Sequence, residues 1–73
     1  MIYVEETLNL MPASPETIET FVSFSEEQLV PCSERLGARL VAAWSSNADV
    51  FSQVMNVWEF DGLAAFGEFR ARA

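Results

Sequence analysis

Glu5 and Glu6 in the first β-type run, with Glu59 in the third, are the candidates for paired carboxylates in this chain. A carboxylate desolvated beside apolar groups holds its proton more tightly and can then serve as acid or base. The sequence contains no histidine, so a His-based triad cannot form within one chain, and the usual His-rich metal sites are excluded with it. No third oxygen donor stands near the glutamates to complete a carboxylate metal site, so no metal is expected. Gly37, Gly62 and Gly67 are isolated and form no phosphate-cradling loop. Nothing in the chain calls for an organic cofactor.

Trp44 and Trp58 could wall a planar ligand, although tryptophans on adjacent strands more often build core. Asn56 could orient a ligand carbonyl, or could simply satisfy nearby backbone. Cys32 follows Pro31 on an apolar helix face with no neighbouring base, which reads as a packing residue.

The elements that must position these groups follow from periodicity. Ile2, Val4, Leu8 and Leu10 alternate with Tyr3, Glu5, Thr7 and Asn9, the pattern of a half-buried strand that Glu6 interrupts. Ser14 is suited to cap a helix and Pro15 to occupy its first turn, where no amide donor is needed. Ile18, Phe21, Val22, Ser25, Leu29, Cys32 and Leu36 then share one helical face. Pro31 is expected to kink or restart that helix, and Gly37 to end it in the left-handed conformation. Arg39 to Ser45 reads as a second strand with Leu40, Ala42 and Trp44 on one face. Ser46 to Asp49 is turn chemistry. Phe51 to Phe60 is a third strand with Val54, Asn56, Trp58 and Phe60 on one face and Gln53, Met55, Val57 and Glu59 on the other. Asp61 is expected to cap a last helix with Leu63, Phe66 and Phe69 on its apolar side.

The order β-α-β-β-α is that of an α+β, ferredoxin-like split βαβ fold whose last strand is missing from the chain. With 73 residues there is room for one domain, spanning 1–73. Yet 51% of the residues are hydrophobic, more than a small monomer easily hides, so a homodimer is expected. The net charge of −7 repels phosphate backbones and anionic lipid surfaces, which argues against nucleic acid and membrane as partners. No apolar run approaches a membrane span of about 20 residues. A single cysteine and a strand-like start without a leader point to the cytoplasm.

The chain resembles the NIPSNAP-like family of dimeric α/β-barrel proteins. The likeness is carried by Ile2, Tyr3, Thr7, Leu10 and Pro12 at the first strand, and by Arg35, Leu36, Gly37 and Trp44 at the helix end and second strand. Gln53, Val54, Trp58, Phe60, Asp61 and Leu63 carry it through the third strand and last helix. The resemblance implies a ferredoxin-like protomer whose sheet packs face to face with a second copy, enclosing a space where related barrels bind small organic molecules. Some relatives of that fold are cofactor-free monooxygenases, cyclases or isomerases. This chain departs from the family pattern in carrying Asn56 where a histidine is frequent, and in having Glu6 where an arginine is frequent nearby.

Two functional classes follow. One is a small-molecule binder or cofactor-free enzyme acting on a small apolar or aromatic ligand, and the other is a non-catalytic association module. For the first, the expected working groups are Asn56, Trp58 and Trp44 as ligand contacts and Glu5 as proton acceptor. Glu5 is preferred to Glu6 because it shares the polar side of its strand with Tyr3 and Thr7, and adjacent strand residues face opposite ways.

Overall fold

The computed structural model describes residues 1–48 and 50–72, with Asn47 and Ala48 described by backbone alone. In chain order it contains β1 (Ile2–Leu10), α1 (Pro15–Phe24), a π-helical segment (Ser25–Leu29), α2 (Val30–Arg35), β2 (Arg39–Ala48), β3 (Phe51–Phe60) and α3 (Leu63–Arg72). The three strands form one antiparallel sheet in the order β1-β3-β2. The fold is α+β, and its order and sheet are compatible with a split βαβ arrangement.

Each helix boundary has a local cause. Ser14 is the N-cap of α1: its Oγ accepts from the Thr17 amide at 3.1 Å, and Pro15 occupies the first turn. Ser52, fully buried on β3, ties this helix start to the sheet by accepting from the Ser14 amide at 3.1 Å and donating to its carbonyl at 3.3 Å. Pro31 lacks the amide that would continue the ladder, and the backbone widens into π geometry just before it, with α2 beginning at Val30. At the end of α2 the Gly37 amide bonds the Glu34 carbonyl at 3.1 Å and the Ala38 amide bonds the Ser33 carbonyl at 3.0 Å. That Schellman closure needs a left-handed residue, and Gly37 supplies it at φ 97°.

The sequence expectations need correction at several places. The π segment inserts a residue into the helical period, so Ser33 becomes the buried position of α2 and Cys32 is turned outward and exposed. β2 runs three residues beyond the expected Ser45, through Ala48, because its backbone stays paired with β3 as far as Phe51. Of the expected turn, Asp49 lies outside the described residues. A bulge falls between Leu40 and Ala42. Leu40 therefore pairs with Trp58, whereas Ala42 and Trp44 pair with Val57 and Met55 on the opposite face. At α3 the first helical bond runs from the Phe66 amide to the Gly62 carbonyl, which makes Gly62 the cap in place of Asp61.

The helices cover one face of the sheet. Every second residue of β3 from Ser52 to Phe60 is buried there, and Ile2, Val4, Glu6, Leu8 and Leu10 of β1 lie half-buried on the same face. Ala38, Trp58 and Phe60 are the core centre. Phe66 and Phe69 meet Phe60 edge-on, with ring centroids 5.1 and 5.2 Å away. Among the described residues no helix is long and apolar enough to cross a membrane.

Candidate functional site

The polar centre of the covered face is built across β1 and β3. Glu6 pairs directly with Asn56, and Trp58 pairs with Val4 next along the same face. Asn56 donates its amide to Glu6 Oε1 at 3.0 Å, and the Trp58 indole donates to the same oxygen at 3.2 Å. Asn56 and Trp58 are only 2% and 6% exposed, so both donors are withdrawn from water and depend on this acceptor. Among the described residues Glu6 Oε2 receives no hydrogen bond. The carboxylate is thus held through one of its two oxygens.

Glu6 also lines a pocket of about 480 Å³ between the sheet and the helices α2 and α3. The volume lies within the usual span of small-molecule sites, about 300–1,000 Å³. Its walls are mostly apolar, from Val4, Leu29, Leu36, Trp58, Phe66 and Phe69, with Glu6 as the acid in the lining. Cys32 also lines it, brought to this edge by the helical offset that exposes its thiol. A smaller space of about 130 Å³ lies on the far side of Asn56, against Phe21 and Val30.

The expected site is therefore brought together in part. Asn56 and Trp58 converge, but the acid that joins them is Glu6. Glu5 pairs with Val57 and is exposed on the opposite face. Trp44 is 45% exposed on that same opposite face and cannot form an aromatic wall with Trp58. The signal that could have selected Glu6 was in the alternation. Glu6 lies in phase with Ile2, Val4, Leu8 and Leu10, and the greasy side of β1 must match the greasy side of β3.

A second polar cluster occupies the uncovered face. Arg39 Nε donates to Glu59 Oε1 at 2.8 Å and its Nη2 donates to Asp61 Oδ1 at 3.0 Å. The Arg39 guanidinium, with a hydrogen bond from Tyr3 in addition, holds the Glu59 carboxyl below its ordinary value. The hydrogen bond to Glu59 and its negative charge push the Tyr3 hydroxyl up, and Arg39 is pushed up by bonding both acids. Every charged member of this cluster has an opposite partner, which is the arrangement of a structural ion-pair network. Among the described residues no group of acids and cysteine is placed to hold a metal ion.

Comparison with known proteins gave no match to a family model, to a curated protein or to a solved structure. The chain is a small α+β domain with a three-stranded antiparallel sheet, helices on one face, and an acid-bearing apolar pocket beneath them.

Proposed function

We propose that this chain is a small-molecule-binding protein of the NIPSNAP-like, dimeric α/β-barrel kind, acting in the cytoplasm, and that it takes an apolar or aromatic ligand between its own sheet and helices and not in the space between the facing sheets of two copies that the resemblance implies. The observation that carries the reading is the Glu6 carboxylate, gripped through Oε1 by two buried donors and lining an apolar pocket. Holding a carboxylate in this way fixes its direction before a ligand arrives, so little ordering remains to oppose binding. Glu6 accepts a hydrogen bond from the ligand's donor group, Asn56 and Trp58 keep it aimed, and Phe66 and Phe69 supply apolar contact.

Cys32 gives a direct test, since it is the single cysteine, exposed, and part of the pocket lining. A saturating neutral aromatic probe such as phenylnaphthylamine should fluoresce on binding and slow alkylation of Cys32 at least several-fold. An unchanged alkylation rate with no probe fluorescence would reject the pocket as a binding site.

A homodimer formed through the uncovered sheet face is the second reading, and one observation favours it. That face exposes Trp44 at 45% and Tyr3 at 61%, beside half-buried Phe51, Met55 and Val57. Apolar and aromatic surface of this kind on one sheet face is typical of surfaces that meet another chain. This is the association-module alternative, and it is compatible with ligand binding on the other face.

A further inference from the structure

We propose that the ligand of this pocket carries an anionic group, a carboxylate or sulfonate, in addition to its hydrogen-bond donor. The inference rests on the pocket reading above and adds the chemical class. The chain has four arginines and no lysine in a net charge of −7. Two of the four, Arg70 and Arg72, line this one pocket. Both are exposed on the last turn of α3, and among the described residues neither forms a salt bridge, whereas Arg39 is committed to Glu59 and Asp61.

Complementing the negative end of the helix dipole accounts for cations in the last turn of α3. It does not account for their place beside the pocket, which depends on how α3 docks. That docking is set by Phe66 and Phe69 against Phe60. Arg70 is one helical turn beyond Phe66, and its guanidinium lies 5.8 Å from the Phe66 ring centroid. Stacking on a pocket wall keeps the guanidinium at the pocket with its edge donors free for an anion's oxygens.

The acid and the two cations of the lining, which among the described residues form no ion pair with one another, then have opposite requirements. Glu6 accepts a hydrogen bond and repels a negative group. Arg70 and Arg72 provide only donors and attract one. A hydrophobic acid that also bears a hydroxyl or amine satisfies both, with its apolar body against Trp58 and the phenylalanines. The general negative charge of the chain opposes any anion, so affinity should depend on these two local cations.

The experiment compares a matched pair of probes on the intact chain, anilinonaphthalene sulfonate and neutral phenylnaphthylamine. Binding is measured by fluorescence titration to wild type and to the Arg70→Gln/Arg72→Gln double variant. Loss of two partly exposed charge contacts should weaken the sulfonate about tenfold, with the neutral probe changing less than about twofold. Raising the salt should weaken the sulfonate in wild type by screening the arginines, should strengthen it in the variant, where only the repulsion of the negative chain is left to screen, and should leave the neutral probe unchanged. Equal affinities of the sulfonate for wild type and the variant, with the neutral probe still bound, would overturn the anionic class and leave the pocket reading standing. Failure of both probes on wild type would overturn the two together. A melting temperature of the double variant equal to wild type separates loss of charge from loss of fold.

Discussion

At the scale of single residues, the two adjacent glutamates of β1 have opposite fates, and this gives the sharpest stability test. Glu6→Ala removes the acceptor shared by Asn56 and Trp58, two donors withdrawn from solvent. Leaving such groups without partners costs about 1–3 kcal/mol. Glu6→Gln keeps a carbonyl oxygen and should cost about 1 kcal/mol or less. Glu5→Ala, on the exposed face, should stay within about 0.5 kcal/mol. Urea unfolding of the three variants measures this, and equal losses at Glu5 and Glu6 would contradict the placement. Glu59 makes a pH prediction. Its folded pKa is depressed by Arg39, so its contribution is present above the ordinary carboxylate range and lost as the pH falls through the folded value. Tyr3 acts at the other end. Its raised folded pKa makes a contribution that is present below the ordinary phenol value and lost as the pH rises through the folded one. Arg39→Gln should therefore flatten the acid limb of a plot of melting temperature against pH. A limb of unchanged shape in that variant would show that the Glu59 pair does not control it.

At the scale of elements, glycine separates conformational need from packing need. An added Cβ would meet nothing within 4 Å at either Gly37 or Gly67. Gly37 stands at φ 97° in the closure of α2, where a side chain is strained, so Gly37→Ala should destabilise by about 1 kcal/mol. Gly67 is inside α3, where alanine is the better helix former, so Gly67→Ala should stabilise by up to about 1 kcal/mol. Thermal melts that shift in opposite directions are the expected result, and shifts of the same sign would count against the left-handed cap. The bulge of β2 works at this scale too. One extra residue near Val41 sends Leu40 to the core and Trp44 to the open face.

At the scale of the whole molecule, the packing is thin. A folded monomer of 8.2 kDa exposes about 4,500 Å², and this one exposes 4902 Å². Its radius of gyration is 13.1 Å, against about 11 Å for a compact chain of this length. With so small a core, Trp58→Ala should cost about 3–5 kcal/mol and can unfold the domain. Trp44→Ala should lower the stability of an isolated protomer by less than about 1 kcal/mol, because Trp44 is 45% exposed. If the open face pairs two copies, sedimentation at micromolar concentration should give twice the chain mass. Trp44→Ser should then shift the equilibrium toward monomer without unfolding. A wild-type chain that sediments as a clean monomer would remove the sheet-to-sheet reading.

Features that depend on neighbours along the chain are legible in the order of residues. The strands β1 and β3 follow from their alternation, and the start of α1 follows from Ser14 and Pro15. The break near Pro31 and the closure at Gly37 follow from backbone rules that act over a few residues. Features that depend on phase emerge only once the elements pack. A π segment added one residue to the helical period and exposed Cys32, and a bulge reversed the faces of β2 and parted Trp44 from Trp58. The choice of Glu6 over Glu5 lay between these cases. Its parity was visible in the sequence, but its role depended on the register that set it opposite Asn56 and within reach of the Trp58 indole. The pocket itself, and the two arginines beside it, depend on the docking of α3 by Phe66 and Phe69. Contacts between elements distant in sequence leave no local periodic trace, which is why only the folded chain reveals them.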